Sequence, residues 1–285
     1  MKIPKRLQPL LEDGLIDAVI QSLMSGKEAS VYLVQCQGHI RCAKVYKDAA
    51  SRSFKKAVQY REGRKVRNSR RQRAMDKGSN FGRAQQEEIW QNTELDAMER
   101  VARAGVRVPQ TYGCFDGVLL MDLITDTDGE PAPRLNDITL TPDNATRDHA
   151  QMMTYVMQML CTGLIHGDLS EFNVLMSADG PVIIDMPQAV EAAANNQAKT
   201  MLARDVNNMT RYYGQFAPEL FNTNYAGEIW SLFEQSELHP DMTLTGIFDD
   251  DTTLPDVDAV LAHIEAARKE EAERQARLND SGDFD

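Results

Sequence analysis

Between Arg52 and Arg83 stand twelve Lys or Arg residues against only Glu62 and Asp76, with few large apolar side chains among them. A block with so large a surplus of positive charge repels itself and cannot bury a core. The chain must therefore fold on either side of it. Gly63, Gly78 and Gly82 add backbone freedom, so a flexible basic insert is expected over about residues 62–83. The basicity is local, because the 285 residues together carry a net charge of −12, which argues against a protein that coats nucleic acid over its whole surface. The opposite bias closes the chain: from Asp241 to Asp285 thirteen carboxylates meet four basic residues. Within that tail Val257, Val260, Leu261 and Ile264 recur at helical spacing, which predicts one docked helix running on into solvated Ala/Glu/Arg sequence.

Upstream of the insert the chain reads as short strands, Val19 to Met24, Val31 to Val34 and Cys42 to Tyr46, with turns at Ser25-Gly26 and Gln37-Gly38. An antiparallel meander is the simplest arrangement. Downstream, Trp90, Leu95, Met98 and Val101 mark a helix ending at Gly105, and Pro109 to Met121 reads as two more strands around an Asp116-Gly117 turn. Beyond Pro133 the pattern becomes mainly helical: Asn144 to Gly163, Ala198 to Tyr213 and Tyr225 to Gln235 are amphipathic, and Val174–Met176 and Val182–Ile184 form a strand pair between the first two. The expected fold class is α+β in two lobes. A small, mainly antiparallel β lobe with one main helix covers residues 1–121, a larger helical lobe 122–240, and the acidic tail 241–285. A cleft between lobes is a common ligand site.

The chemistry sits where the lobes would meet. His166-Gly167-Asp168-Leu169-Ser170-Glu171-Phe172-Asn173 places an Asp and an Asn five residues apart just before a strand, and Asp185 follows the next strand. Phosphoryl transfer needs such a set: one carboxylate orients the attacking hydroxyl, while an amide oxygen and a second carboxylate hold magnesium against the phosphates. Any one Asp in a turn is as readily a cap; it is the joint spacing between apolar strands that favours chemistry. Lys44, inside the strand Ala43-Lys44-Val45-Tyr46, needs an anion if it faces inward. Glu94 shares a helical stripe with Trp90, Met98 and Val101 and can supply that anion, leaving the ammonium to contact phosphates. Ser25-Gly26-Lys27-Glu28-Ala29-Ser30 can close over the phosphates as a hairpin, although it has one glycine where a GxGxxG loop has three.

These stretches, SGKEASVY, CAKVYK, AGVRVP, LLMDLI, PAPRLND, IHGDLSEFNVLM, IIDMPQAV and RDVNN, together resemble the RIO family of atypical protein kinases, in order from about Gly14 to Tyr213. The resemblance implies a trimmed kinase fold without the activation segment of ordinary eukaryotic protein kinases. It implies an ATP- and Mg2+-dependent serine/threonine kinase, with Mn2+ as the alternative ion, acting on a protein or on itself, or working as an ATPase through a phosphoaspartate. It further implies Lys44 as the ATP-anchoring lysine, Asp168 as the catalytic aspartate, and Asn173 and Asp185 as metal ligands, with Asp185 itself a candidate phosphate acceptor. Ser25 to Ser30 would be the phosphate loop, Met121 to Ile124 (with Asp122) the adenine hinge, and Val31, Ala43, Glu94 and Leu175 further nucleotide-site residues. Asp122 departs from the hinge Glu common in the family. Met186-Pro187 replaces the Phe-Gly that follows the metal aspartate in conventional kinases, and proline disfavours an in/out switch there.

Two other function classes stay open at this level. One is a small-molecule kinase of the aminoglycoside-phosphotransferase type, which shares His-Gly-Asp and the Asn five residues on. The other is a nucleotide-gated protein whose basic insert contacts RNA or a ribosomal particle. No membrane partner is expected, because no stretch approaches the length of an apolar span and the first residues lack a signal-peptide core. Cys36, Cys42, Cys114 and Cys161 are scattered without CxxC spacing, so a reducing cytoplasm is the expected compartment.

Overall fold

A computed structural model describes residues 3–26, 28–47 and 93–249. Lys27, Trp90, the basic insert and the tail helix lie outside the described residues. A short 3-10 turn, Lys5–Leu7, leads into helix α1 (Gln8–Glu12). Three strands then form the expected meander: β1 (Ala18–Ser25), β2 (Ala29–Cys36) and β3 (His39–Tyr46). Helix α2 spans the described residues 93–103. It is followed by β4 (Thr111–Phe115) and β5 (Val118–Asp122), giving one antiparallel sheet in the order β1-β2-β3-β5-β4. The β2–β3 and β4–β5 hairpins turn through Gln37-Gly38 and Asp116-Gly117, both residues of each pair having positive φ. That is the mirror-image turn whose twist matches the strands, and glycine makes its second position accessible without strain.

Strand alternation gives the sheet two different faces. Ala43, Val45, Val34, Cys36, Val118 and Leu120 pack against Leu7, Leu10 and Ile16, so the N-terminal segment, to which the sequence reading gave no role, closes the outer face. The opposite face carries Ala29, Tyr46 and Leu119 onto Met98 and Val101 of α2 and continues into the core of the helical lobe. Charged Lys44 and apolar Val45 thus serve different sides of one strand.

The second lobe is built on α3 (Pro142–Cys161), whose N-cap Thr141 accepts from Asn144 N at 3.3 Å. Strand β6 (Leu164–Ile165) leads into the loop 166–173, and β7 (Val174–Ser177) and β8 (Gly180–Ile183) form the expected pair. Strand β9 (Val190–Glu191), absent from the sequence reading, returns to pair with β6. Helices α4 (Ala198–Gly214) and α5 (Tyr225–Glu234) complete the lobe. Both lobes fall within one compact unit that ends at Phe248. Its last residues are bound down: Thr245 N and Gly246 N donate to the Glu228 carboxylate, and Asn224 N donates to Gly246 O at 2.7 Å. No helix among the described residues is long and apolar enough to cross a membrane.

Candidate active site

Lys44 is 8% exposed and faces inward, paired in register with Val31 on β2 and Leu119 on β5. Its ammonium lies 2.6 Å from Glu94 Oε1 on α2 and also hydrogen-bonds Asp185 Oδ1 from the other lobe. Glu94, 1% exposed, accepts from the Tyr46 hydroxyl through its second oxygen. Tyr46 stands two residues beyond Lys44 on the same face of β3, so a single strand supplies both donors to one carboxylate. Burial alone would lower the Lys44 pKa, but the charges of Asp185 and Glu94 outweigh it and hold the ammonium above its usual range. Asp185 shows the reciprocal balance: burial pushes its carboxyl up, and Lys44 brings it below the usual carboxylate range. Asp185 sits at φ 67°, in the left-handed region that Asp tolerates better than most residues.

Asp168 is oriented by backbone and side chain alike. Its carbonyl accepts from Asn173 Nδ2 at 2.8 Å, and its Oδ2 accepts from Gln188 Nε2 at 3.2 Å. The loop around it is pinned from α4. Asp205 accepts from Gly167 N at 2.7 Å and from Leu169 N at 3.0 Å, one carboxylate oxygen each, so it grips the chain on both sides of Asp168. Arg204 donates to Gly167 O, and Asn208 Nδ2 donates to Leu169 O at 2.9 Å. Burial raises the Asp205 carboxyl to about 6 against the pull of His166, the two amide groups and Arg204. Arg204, Asp205 and Asn208 lie within one turn of helix, the spacing that lets three side chains meet one loop. All three belong to the stretch RDVNN, whose local sequence gives none of them a role.

The phosphate-loop candidates form the anticipated hairpin: Gly26 N donates to Ala29 O at 2.8 Å, Ser25 pairs with Ser30, and Lys47 Nζ donates to Gly26 O at 2.6 Å. Val31 and Lys44 share a face of the sheet, with Met121 on the same face of β5. Ala43 does not join them. It is fully buried on the opposite face among Leu7, Leu10 and Ile16, and the regular β2–β3 register gives the cleft-side position to Cys42 instead. The Asp122 carboxylate is engaged by the Tyr112 hydroxyl at 2.6 Å, and Ile124 O accepts from Ala132 N at 2.9 Å. Leu175 is half-buried and joined to Arg134 by a β-bridge.

The donor set suits a hard divalent cation. Asn173 spends its amide N–H on Asp168, leaving the amide oxygen as its ligand atom, and Asp185 adds a carboxylate. Glu94 and Asp185 already share the Lys44 ammonium, and Mg2+, with its preference for carboxylate and phosphate oxygens, would suit the remaining oxygens of Asp185 and Asn173.

Comparison with known proteins agrees with this geometry. The model of the RIO domain matches residues 30–226. The RIO-type serine/threonine-protein kinase Rio1 of Haloferax volcanii is 32% identical over 207 residues, 72% of this chain and 66% of that protein. The serine/threonine-protein kinase rio1 of Schizosaccharomyces pombe is 30% identical over 214 residues, 73% of this chain and 40% of that protein. The chain thus matches less than two thirds of the length of these curated relatives. Among solved structures, the Rio2 kinase of Chaetomium thermophilum in an ADP/Mg2+-phosphoaspartate complex superposes with a TM-score of 0.53 at 21% identity, covering 75% of this chain and 65% of that one. That likeness is one of fold.

Proposed function

Since the chain belongs to the RIO domain family, we propose that it is an ATP- and Mg2+-dependent phosphotransferase, a RIO-type serine/threonine kinase that acts on a protein or on itself. The observation that carries this reading is the single ammonium of Lys44 joining Glu94 of the small lobe to Asp185 of the large one. Such a bridge sets a cation at the depth of the cleft where the α- and β-phosphates of ATP would lie. In this reading Ser25 to Ser30 cover the phosphates, and Val31, Cys42 and Met121 cover the base from above with Leu175 below. Asn173 and Asp185 would hold Mg2+, which would neutralise charge on the phosphates.

Asp168 accepts a hydrogen bond from the attacking hydroxyl and orients it toward the γ-phosphorus. The hydroxyl proton passes to the Asp168 carboxylate as the new O–P bond forms and the bond to the β,γ-bridging oxygen breaks, releasing ADP. Asp205, Arg204 and Asn208 keep the loop from moving during this exchange. The Rio2 complex contains a phosphoaspartate, and we assign the equivalent acceptor here to Asp185 as a separate route, in which its carboxylate oxygen rather than a hydroxyl attacks the γ-phosphorus as the bond to the β,γ-bridging oxygen breaks and ADP leaves. RIO membership disfavours the aminoglycoside-type alternative. We place the protein in the cytoplasm, where Cys36, Cys42, Cys114 and Cys161, all free, stay reduced.

Incubation with radiolabelled ATP and Mg2+, alone and with candidate protein substrates, tests the reading. Wild-type protein is expected to transfer label to itself or to a protein and to release ADP. Lys44→Ala and Asp168→Asn are expected to abolish turnover, the first by losing phosphate positioning and the second with ATP binding nearly intact. Wild-type turnover in both variants would overturn the assignment.

A further inference from the structure

Pro187-Gln188 forms the centre of a tight turn, closed by Ala189 N donating to Met186 O at 3.2 Å. Proline at the second position of such a turn fixes φ and sets the residue after it. Immediately beyond, β9 pairs with β6 in the register Leu164–Glu191 and Ile165–Val190. Continued by two residues in the antiparallel sense, that register brings Gln188 level with Gly167, beside Asp168. The two-rung ladder and the proline turn therefore deliver one amide side chain to the loop that carries the proposed catalytic aspartate. There, Gln188 Nε2 donates to Asp168 Oδ2 at 3.2 Å.

The other end of that amide is anomalous. Gln188 Oε1 is buried and has no hydrogen-bond partner among the described residues. A buried carbonyl without a donor costs stability, and an apolar side chain of the same length would avoid that cost. Packing alone gives no reason for an amide here. Its N–H, aimed at one carboxylate oxygen, does give one: it consumes Oδ2 and leaves Oδ1 for the incoming hydroxyl. Asp168 is then held by two independent restraints, Asn173 on its backbone carbonyl and Gln188 on its carboxylate.

We infer that Gln188 is a positioning residue for phosphoryl transfer, fixing the rotamer of Asp168 so that one defined oxygen meets the acceptor hydroxyl. The inference rests on the proposed role of Asp168. It assigns Gln188 no contact with ATP, so its loss is predicted to spare nucleotide binding. A small misplacement of a reacting group costs roughly 100-fold in rate.

The test compares Gln188→Met and Gln188→Glu with wild type in initial-rate measurements of ADP release at varied ATP, together with thermal melts. Gln188→Met keeps length and removes both polar ends. It is expected to melt at or above the wild-type temperature, to keep the KM for ATP, and to lose about tenfold to 100-fold in kcat. Gln188→Glu keeps shape but places an acceptor against an acceptor, so kcat is expected to fall at least as far, again at constant KM. Wild-type kcat in either variant would overturn the inference. So would a Gln188→Met protein that melts well below wild type with kcat and KM for ATP impaired together, because that is the mark of a scaffold residue. Asp168→Asn, assayed in parallel, separates the two levels. If it is inactive while the Gln188 variants are normal, only the role of Gln188 falls; if it turns over normally, the reading of Asp168 falls and takes Gln188 with it.

Discussion

Lys44 Nζ and Glu94 Oε1 lie 2.6 Å apart with both side chains all but removed from water, and the Tyr46 hydroxyl binds the second oxygen of the same carboxylate. A buried ion pair is costly to break from one side, because the surviving charge stays desolvated; about 3–5 kcal/mol is typical. Lys44→Met strands Glu94 and should lower the melting temperature markedly. Adding Glu94→Gln removes the orphan charge while keeping an acceptor for Tyr46, so the double variant should recover most of the lost stability. Neither protein should turn over ATP. Paired thermal melts and ADP-release assays check this, and a double variant no more stable than Lys44→Met would contradict it.

Asp205 predicts a pH signature. Burial raises its folded pKa to about 6, above the value near 4 of an unfolded aspartate. The folded state then binds the proton more tightly. Its contribution to stability is greatest at acid pH, declines as pH rises from about 4 through 6, and stands at a cost of about 3 kcal/mol above that. Asp205→Asn cannot titrate. The stability difference, wild type minus variant, should therefore shrink between pH 4.5 and 7 in urea unfolding, while effects of all other groups cancel. Parallel curves would remove the raised pKa. The amide also offers a donor where Gly167 N and Leu169 N both need acceptors, so turnover should drop as the loop loosens.

Much of this was legible from local pattern. The strands, their two-residue turns and the helices of the second lobe follow from alternation, glycine placement and helical periodicity. Asp168, Asn173 and Asp185 stand out by their joint spacing against apolar strands, whereas Lys44 stands out only through the helical stripe that turns Glu94 inward. What escaped depends on tertiary partners. Asp205 sits within an ordinary amphipathic helix, and nothing in its neighbours says that both its oxygens meet a loop 36 and 38 residues earlier. Strand β9 is two residues long, below the length at which alternation can be read. The facing of Ala43 turned on the N-terminal segment, whose Leu7, Leu10 and Ile16 give the sheet a second buried side and make both parities of β3 apolar.

That facing yields a separation of effects. Ala43→Leu forces a larger side chain against Leu7, Leu10 and Ile16, and overpacking of this kind costs about 1–3 kcal/mol. Its affinity for ATP should match wild type. Cys42→Leu enlarges the cleft-side position and should weaken ATP binding severalfold. Calorimetric titration with ATP beside thermal melts distinguishes them; a loss of ATP affinity confined to Ala43→Leu would reverse the assignment of the two faces.

The last prediction concerns where phosphate resides after one turnover. Asp185 carries a carboxylate held below its ordinary pKa by Lys44, so it is ionised at neutral pH and able to act as a nucleophile once Lys44 shifts onto the phosphates of ATP. Attack by its oxygen on the γ-phosphorus would make an acyl phosphate and release ADP. A serine acceptor would give a phosphate ester instead. The two differ in chemistry rather than in mass: hydroxylamine cleaves an acyl phosphate to leave a hydroxamate on the protein, whereas phosphoserine survives it. Protein trapped in acid after a single turnover with radiolabelled ATP should lose its label to hydroxylamine at neutral pH, and the hydroxamate should map to Asp185. Label that persists through hydroxylamine and maps to a serine would transfer the acceptor role away from Asp185, while leaving Asp168 as the group that orients the attacking hydroxyl.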